Sequence, residues 1–232
     1  MAGNGSIYLR NIRFEWPGRP RFAIAVEELL LEPRDTVLLL GESGSGKSTL
    51  LSLICGTVLP TCGELVVAGT NLTSLSGTAR DRFRAEQIGV VFQQFNLLPF
   101  GSVLDNILLP LRFAPGRRQR APEPESQAGE LCRKLGLPEG ILEMRAARLS
   151  VGEQQRVAVA RSLIGQPPIL IADEPTSSLD EASRGNFLDL LFDQVRSQES
   201  TLLMVSHDSR LAKRFDRVVR ISEIATVERG RG

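Results

Sequence analysis

Nine consecutive residues, Gly41-Glu42-Ser43-Gly44-Ser45-Gly46-Lys47-Ser48-Thr49, carry glycines, one lysine and, directly after it, the hydroxyls of Ser48 and Thr49 at the spacing of a phosphate-binding loop. The glycines let the backbone curl so that successive N–H groups point at an anion, and a following helix adds its positive N-terminal end. Lys47 supplies a point charge for β- and γ-phosphates. The Ser48 hydroxyl is the expected Mg²⁺ ligand, with Thr49 close to an α-phosphate. Two acids, Asp173 and Glu174, close the apolar run at residues 169–172. At the C-terminal edge of a strand, Asp173 suits a water-mediated hold on the cation and Glu174 a general base for an attacking water. Ser150 and Glu153 have the spacing of a capping box at a helix start. That serine, with Gly152 permitting close backbone approach and the helix N-terminus behind it, also makes an anion site. His207, the only histidine, ends a strand-like run at residues 201–206.

Each of these groups needs an element to hold it. Residues 37–40 read as a buried strand entering the glycine loop, and Leu50, Leu51, Leu53 and Ile54 as a helix leaving it. The β-type runs at 7–9, 12–14 and 22–31, broken by the turn Trp16-Pro17-Gly18-Arg19-Pro20, predict an antiparallel flap beside the loop. Residues 64–68 and 88–92 read as a second β pair around a polar stretch. Residues 114–125, rich in proline and charge, read as a loop whose charges are solvated. Helices are expected around 126–135, 152–164 and 181–195, with strands at 169–172 and 201–205. Strands alternating with helices around a phosphate loop predict an α/β fold with a mainly parallel sheet.

Composition bounds the function class. A chain of 232 residues with 42% hydrophobic content can bury one large core, or a core with an inserted subdomain. A net charge of +1, from 28 basic and 27 acidic residues, argues against a global grip on nucleic acid. Cys55, Cys62 and Cys132 form no C-x-x-C pair, which favours thiols in a reducing compartment over a disulfide. No apolar run approaches the ~20 residues of a membrane span, and no secretion signal opens the chain, so any membrane role is expected to come through a partner.

The segment Leu149-Ser150-Val151-Gly152-Glu153-Gln154-Gln155-Arg156 resembles the signature Leu-Ser-Gly-Gly-Gln of ATP-binding cassette (ABC) ATPases, and the other motifs follow in that family's order. The resemblance spans about residues 6 to 220. It implies a P-loop NTPase (RecA-like) core with an antiparallel β subdomain and an inserted α-helical signature subdomain. Residues 1–93 would hold the flap and the first part of the core, 94–165 the helical subdomain, and 166–232 the rest of the core. It also implies that Trp16 stacks on adenine and that Gln93 touches Mg²⁺ or the attacking water and the membrane partner. Asp180 would lie at a subunit interface, and His207 would contact the γ-phosphate.

Val151 and Glu153 depart from the signature's first glycine and its glutamine, whereas Ser150 and Gly152 are kept, so altered turnover is expected more than a dead site. The implied ligands are ATP and Mg²⁺. The implied partners are a second copy or close paralogue, closing around two ATP, and integral membrane permease subunits on the cytoplasmic side of the inner membrane. The wording of residues 92–99 and 105–111 is similar to the branch serving lipoprotein release, macrolide export and the FtsE/FtsX pair. An uptake ATPase, a non-transport ATPase or an ATP-dependent assembly switch would share the same motifs.

Overall fold

The computed structural model describes residues 6–17, 22–177, 179 and 181–229. In chain order the strands are β1 Ile7–Glu15, β2 Phe22–Leu31, β3 Thr36–Leu40, β4 Cys62–Val67, β5 Thr70–Asn71, β6 Ile88–Val91, β7 Ile169–Asp173, β8 Thr201–Ser206, β9 Arg217–Arg220 and β10 Ala225–Arg229. The α-helices are α1 Lys47–Ile54, α2 Gly77–Gln87, α3 Val103–Leu108, α4 Pro115–Gln119, α5 Pro124–Lys134, α6 Val151–Leu163, α7 Glu181–Ser197 and α8 Ile221–Ile224. Two compact units divide the chain, residues 1–84 with 201–232, and residues 85–200.

In the first unit β1 pairs antiparallel with β2 and β4, β2 pairs with β10, and β4 with β5. Along the second half of β1, Ile12 and Phe14 are buried while Arg13 and Glu15 are exposed, the alternation of a sheet with one wet face. This is the expected flap. β3 instead pairs parallel with both β8 and β9, and all five of its residues are buried. A parallel strand covered on both faces reads as a continuous apolar run, which is why residues 37–40 were legible as one.

In the second unit β6 pairs parallel with β7, and α6 packs against β6, α3, α5 and α7. Every residue of α6 from Val157 to Leu163 is buried. The contact with β6 is close enough to require glycine, since a Cβ on Gly89 would lie 2.3 Å from the Ser162 carbonyl oxygen. Residues 64–68 and 88–92 are therefore not a β pair. β4 is joined to β1 and β5, β6 to β7, and the polar stretch between them folds as α2. Apolar alternation identified both strands but carries no information about a partner eighty residues away.

Residues 114–125 also depart from the solvated loop expected of them. Pro115 opens the short helix α4, and the Glu86 carboxylate caps it by accepting the Gly116 and Arg117 N–H groups at 2.9 and 3.0 Å. Arg117 is only 2% exposed. Its guanidinium donates to the carbonyls of Ser162 (2.8 Å) and Ile164 (2.9 and 2.5 Å), satisfying acceptors that the end of α6 leaves without helical partners. Burial first, and neighbouring Arg120 second, pull this guanidinium down to about 10, so it stays charged at neutral pH. Arg117→Met keeps most of the side-chain volume but strips those carbonyls of their donor, at an expected cost of about 3 kcal/mol. Thermal denaturation should show a midpoint lower by roughly 5–10 °C. A midpoint equal to that of the parent chain would refute the clasp.

No disulfide joins Cys55, Cys62 and Cys132, and burial raises the Cys132 thiol to about 11. Among the described residues no helix is long and apolar enough to cross a membrane.

Candidate functional site

β3 delivers the glycine loop and α1 receives it. Gly46, at φ +98, is the N-cap of α1, and it offers no side chain to the first-turn N–H groups. Those donors are thus presented to a ligand, as an anion site requires. The conformation needs glycine twice over, because an L side chain rarely takes that φ and a Cβ would meet Ile24 at 3.0 Å. Lys47 Nζ donates to the Gly41 and Glu42 carbonyls at 2.6 and 2.8 Å, and Ser45 Oγ donates to Glu42 O at 2.7 Å. The loop is closed by its own side chains. Glu42, Ser43, Gly44 and Ser48 are exposed at its tip and at the helix start, while Thr49 is buried.

Trp16 is fixed to this loop's helix. Its Nε1–H donates to Thr49 Oγ1 at 3.1 Å, and its ring stands edge-on to Phe14 at 5.1 Å and 86°. It remains 36% exposed, so packing on the flap and presenting a face to a ring ligand are compatible. His207 leaves β8 beside the loop: Leu40 is in register with Ser206, and the Gly41 N–H donates to the Ser206 carbonyl at 3.3 Å. The histidine is exposed. The next residue, Asp208, caps the following turn by accepting the Arg210 N–H and pairs with the Arg210 guanidinium at 2.8 Å.

In the second unit, Val91 is in register with Ala172, so Gln93 and the pair Asp173 and Glu174 emerge from the same end of two parallel strands. This is the strand edge where α/β sheets place ligands. Gln93 is exposed, and Asp173 and Glu174 are half-buried. Glu174 has φ +45, and Phe95 and Asn96, just after Gln93, have φ +57 and +48. The chain after Gln93 is pinned from beneath. Arg161 of α6 donates to the carbonyls of Phe95 and Asn96, the latter at 2.6 Å. Fully buried Asn106 accepts the Leu98 N–H and donates to the Leu98 and Ser102 carbonyls.

α6 begins with the expected capping box. Glu153 Oε2 accepts both the Ser150 N–H (2.8 Å) and the Ser150 hydroxyl (2.7 Å), and the Glu153 N–H points back to Ser150 Oγ at 3.4 Å. The hydroxyl first, and then the amide, hold the Glu153 carboxyl below its ordinary range. A carboxylate thus already sits on the first of these donors. Beyond it Val151 is 51% exposed, and a Cβ on Gly152 would meet nothing within 4 Å. A hollow of about 330 Å³ lies against Ser150, Val151, Gly152 and Gln155.

The sequence-predicted residues therefore gather in three places: Trp16, residues 41–49 and His207; Gln93, Asp173 and Glu174; and Ser150, Gly152 and Glu153. Asp180 lies outside the described residues. Gln155 and Arg161 were not anticipated. Their one sequence signal is a polar side chain on the buried stripe of α6, where aliphatic residues are the norm.

Residues 27–177 match the family model described as ABC transporter. The uncharacterized ABC transporter ATP-binding protein YbbA of Escherichia coli K12 is 42% identical over 194 residues, covering 84% of this chain and 83% of that protein. The lipoprotein-releasing system ATP-binding protein LolD of Novosphingobium aromaticivorans is 43% identical over 195 residues, covering 84% and 85%. Among solved structures, the dimeric post-hydrolysis state of the ATP-binding cassette MJ0796 bound to ADP and Pi superposes with a TM-score of 0.79. It is 31% identical and covers 97% of this chain and 99% of that one.

Proposed function

The chain belongs to the ABC transporter family and is an ATPase subunit of that family; we propose that it works as one half of a pair that closes around two Mg²⁺-bound ATP molecules and drives a membrane permease. Trp16 stacks on adenine, and the loop N–H groups with Lys47 neutralise the phosphates. Glu174 takes a proton from the attacking water, Gln93 orients that water, and His207 contacts the γ-phosphate. Ser48 and Asp173 offer the hydroxyl and carboxylate oxygens that suit Mg²⁺, which when bound neutralises charge on the β- and γ-phosphates. Asp180 lies at the contact between the two chains.

The single observation that carries the pairing is the open start of α6, where a Cβ added at Gly152 would have no neighbour within 4 Å and Val151 is exposed. Ser150 and Gly152 there meet the γ-phosphate held by the other copy, so binding closes the pair and hydrolysis releases it. MJ0796 is a cassette solved as a dimer, which supports the same arrangement. The permease docks on the apolar surface that follows Gln93, where Phe100 and Phe113 are 76% and 65% exposed. The chain then works on the cytoplasmic side of the membrane. The likeness to LolD favours the branch serving lipoprotein release, macrolide export and the FtsE/FtsX pair.

Because each site is completed by the second chain, turnover per subunit should rise with protein concentration until dimers saturate. The measurement is steady-state ATPase activity over a hundredfold dilution series. Activity strictly first-order in protein contradicts the shared site.

A further inference from the structure

The helix that opens with Ser150 also reaches the carboxylate at the end of β7. Gln155, 1% exposed, donates from Nε2 to the Pro175 carbonyl at 2.5 Å. The residue before that proline is Glu174, whose φ of +45 lies in the left-handed region that a glutamate rarely adopts. Such a conformation persists only where its surroundings over-determine it, and outliers of this kind concentrate at functional sites.

The pattern repeats further along the helix. Arg161, 8% exposed, donates to the carbonyls of Phe95 and Asn96, which are themselves left-handed and follow Gln93. Three of the eight left-handed non-glycine residues among those described thus carry, or adjoin, a carbonyl held by α6. Core packing alone does not call for these groups. Around them α6 buries Val157, Ala158, Val159, Ala160 and Leu163, and an aliphatic side chain at 155 would fill the same volume. What an aliphatic side chain lacks is the donor.

We infer that Gln155 is a positioning residue for ATP hydrolysis: from the signature helix it fixes the backbone at Glu174 and thereby aims the carboxylate at the attacking water. The inference rests on the reading of Glu174 as the general base. Gln155 lies five residues from Ser150, about one and a half turns along one rigid helix. A nucleotide engaging the start of α6 is therefore coupled to the base of the chain that supplies α6. With the donor removed, the Pro175 carbonyl loses its partner and Glu174 is released toward ordinary negative φ.

The test is steady-state hydrolysis, with nucleotide affinity measured separately by a fluorescent ATP analogue. Gln155→Met removes the donor at similar volume, and Gln155→Asn withdraws it by one methylene, so the comparison survives if one of the two fails to fold. Both should lower kcat about tenfold while KM and nucleotide affinity stay within twofold. Gln155→His, which can place an Nε2–H donor at similar reach, should recover part of the loss. On a Glu174→Gln background, Gln155→Met should slow hydrolysis no further, because a residue acting through Glu174 has nothing left to position.

Wild-type kcat in the Met and Asn variants, no recovery by His, or a full additional loss in the double variant each overturns the inference. If Glu174→Gln itself hydrolyses at the parent rate, the reading of Glu174 as base falls and takes the inference with it. A slow Glu174→Gln beside a fast Gln155→Met removes the inference alone.

Discussion

Glu174→Gln is expected to bind ATP as the parent chain does and to hydrolyse it at least ~10-fold more slowly, because the amide keeps the shape of the carboxylate and cannot accept the water's proton. The substitution is conservative where it stands. Glu174 follows the buried strand β7 and has left-handed φ, and its backbone is held by the Ser177 N–H on its own carbonyl and by Gln155 on the next. Both of those backbone contacts remain available to the amide, which also keeps the side chain's shape, so the local fold should survive. Blocking hydrolysis removes the step that opens the pair, and dimers should therefore accumulate with ATP and Mg²⁺ present. Size-exclusion chromatography reads the dimer, and phosphate release reads the rate. A variant that stays monomeric and hydrolyses at the parent rate would remove both roles assigned to Glu174.

How much of this was legible in the sequence depended on whether a feature is encoded locally. The glycine loop was readable because its chemistry lies in nine adjacent residues, and the structure places Gly46 at the left-handed start of α1. The capping box at Ser150 and Glu153 was readable for the same reason, four adjacent residues holding the whole motif. What the sequence did not reveal is that these bonds engage the Ser150 hydroxyl as a donor, which makes the glutamate at 153 more consequential than its spacing suggests. The runs at 7–9, 12–14 and 88–92 were visible by pattern, the first two proving to be one strand, yet only the pairing of β1 with β2 followed from the turn signal between them, whereas β6 finds β7 across eighty residues.

Arg117 illustrates the harder case. Within residues 114–125 it is one arginine among several, and a charge run ordinarily faces water. Its burial is decided by acceptors at Ser162 and Ile164, some 45 residues on, and by Glu86 in front of it. Gln155 and Arg161 were hidden in the same way. Each sits inside a segment already explained by another motif, and each acts on a carbonyl that no sequence pattern marks.

Lys47→Ala is expected to weaken ATP binding by roughly 10- to 100-fold, the worth of about 1.5–3 kcal/mol for a charged hydrogen bond to phosphate. The lysine does a second job, since its ammonium bridges the Gly41 and Glu42 carbonyls and closes the loop. Both effects act on the ligand more than on the fold. Glu42 is exposed and Gly41 half-exposed, so water can reach the carbonyls that the ammonium leaves, and the melting midpoint should fall by only a few degrees. Lys47→Arg should not restore affinity. The position is 9% exposed, and a planar guanidinium is bulkier than the compact ammonium that now fits between two carbonyls. Isothermal calorimetry with ATP and Mg²⁺ measures the affinity, and a thermal melt of the same samples separates lost binding from lost fold. Affinity within twofold of the parent chain, in a protein that melts normally, would mean that the loop's N–H groups carry the phosphates alone and that the charge assigned to Lys47 is not what binds them.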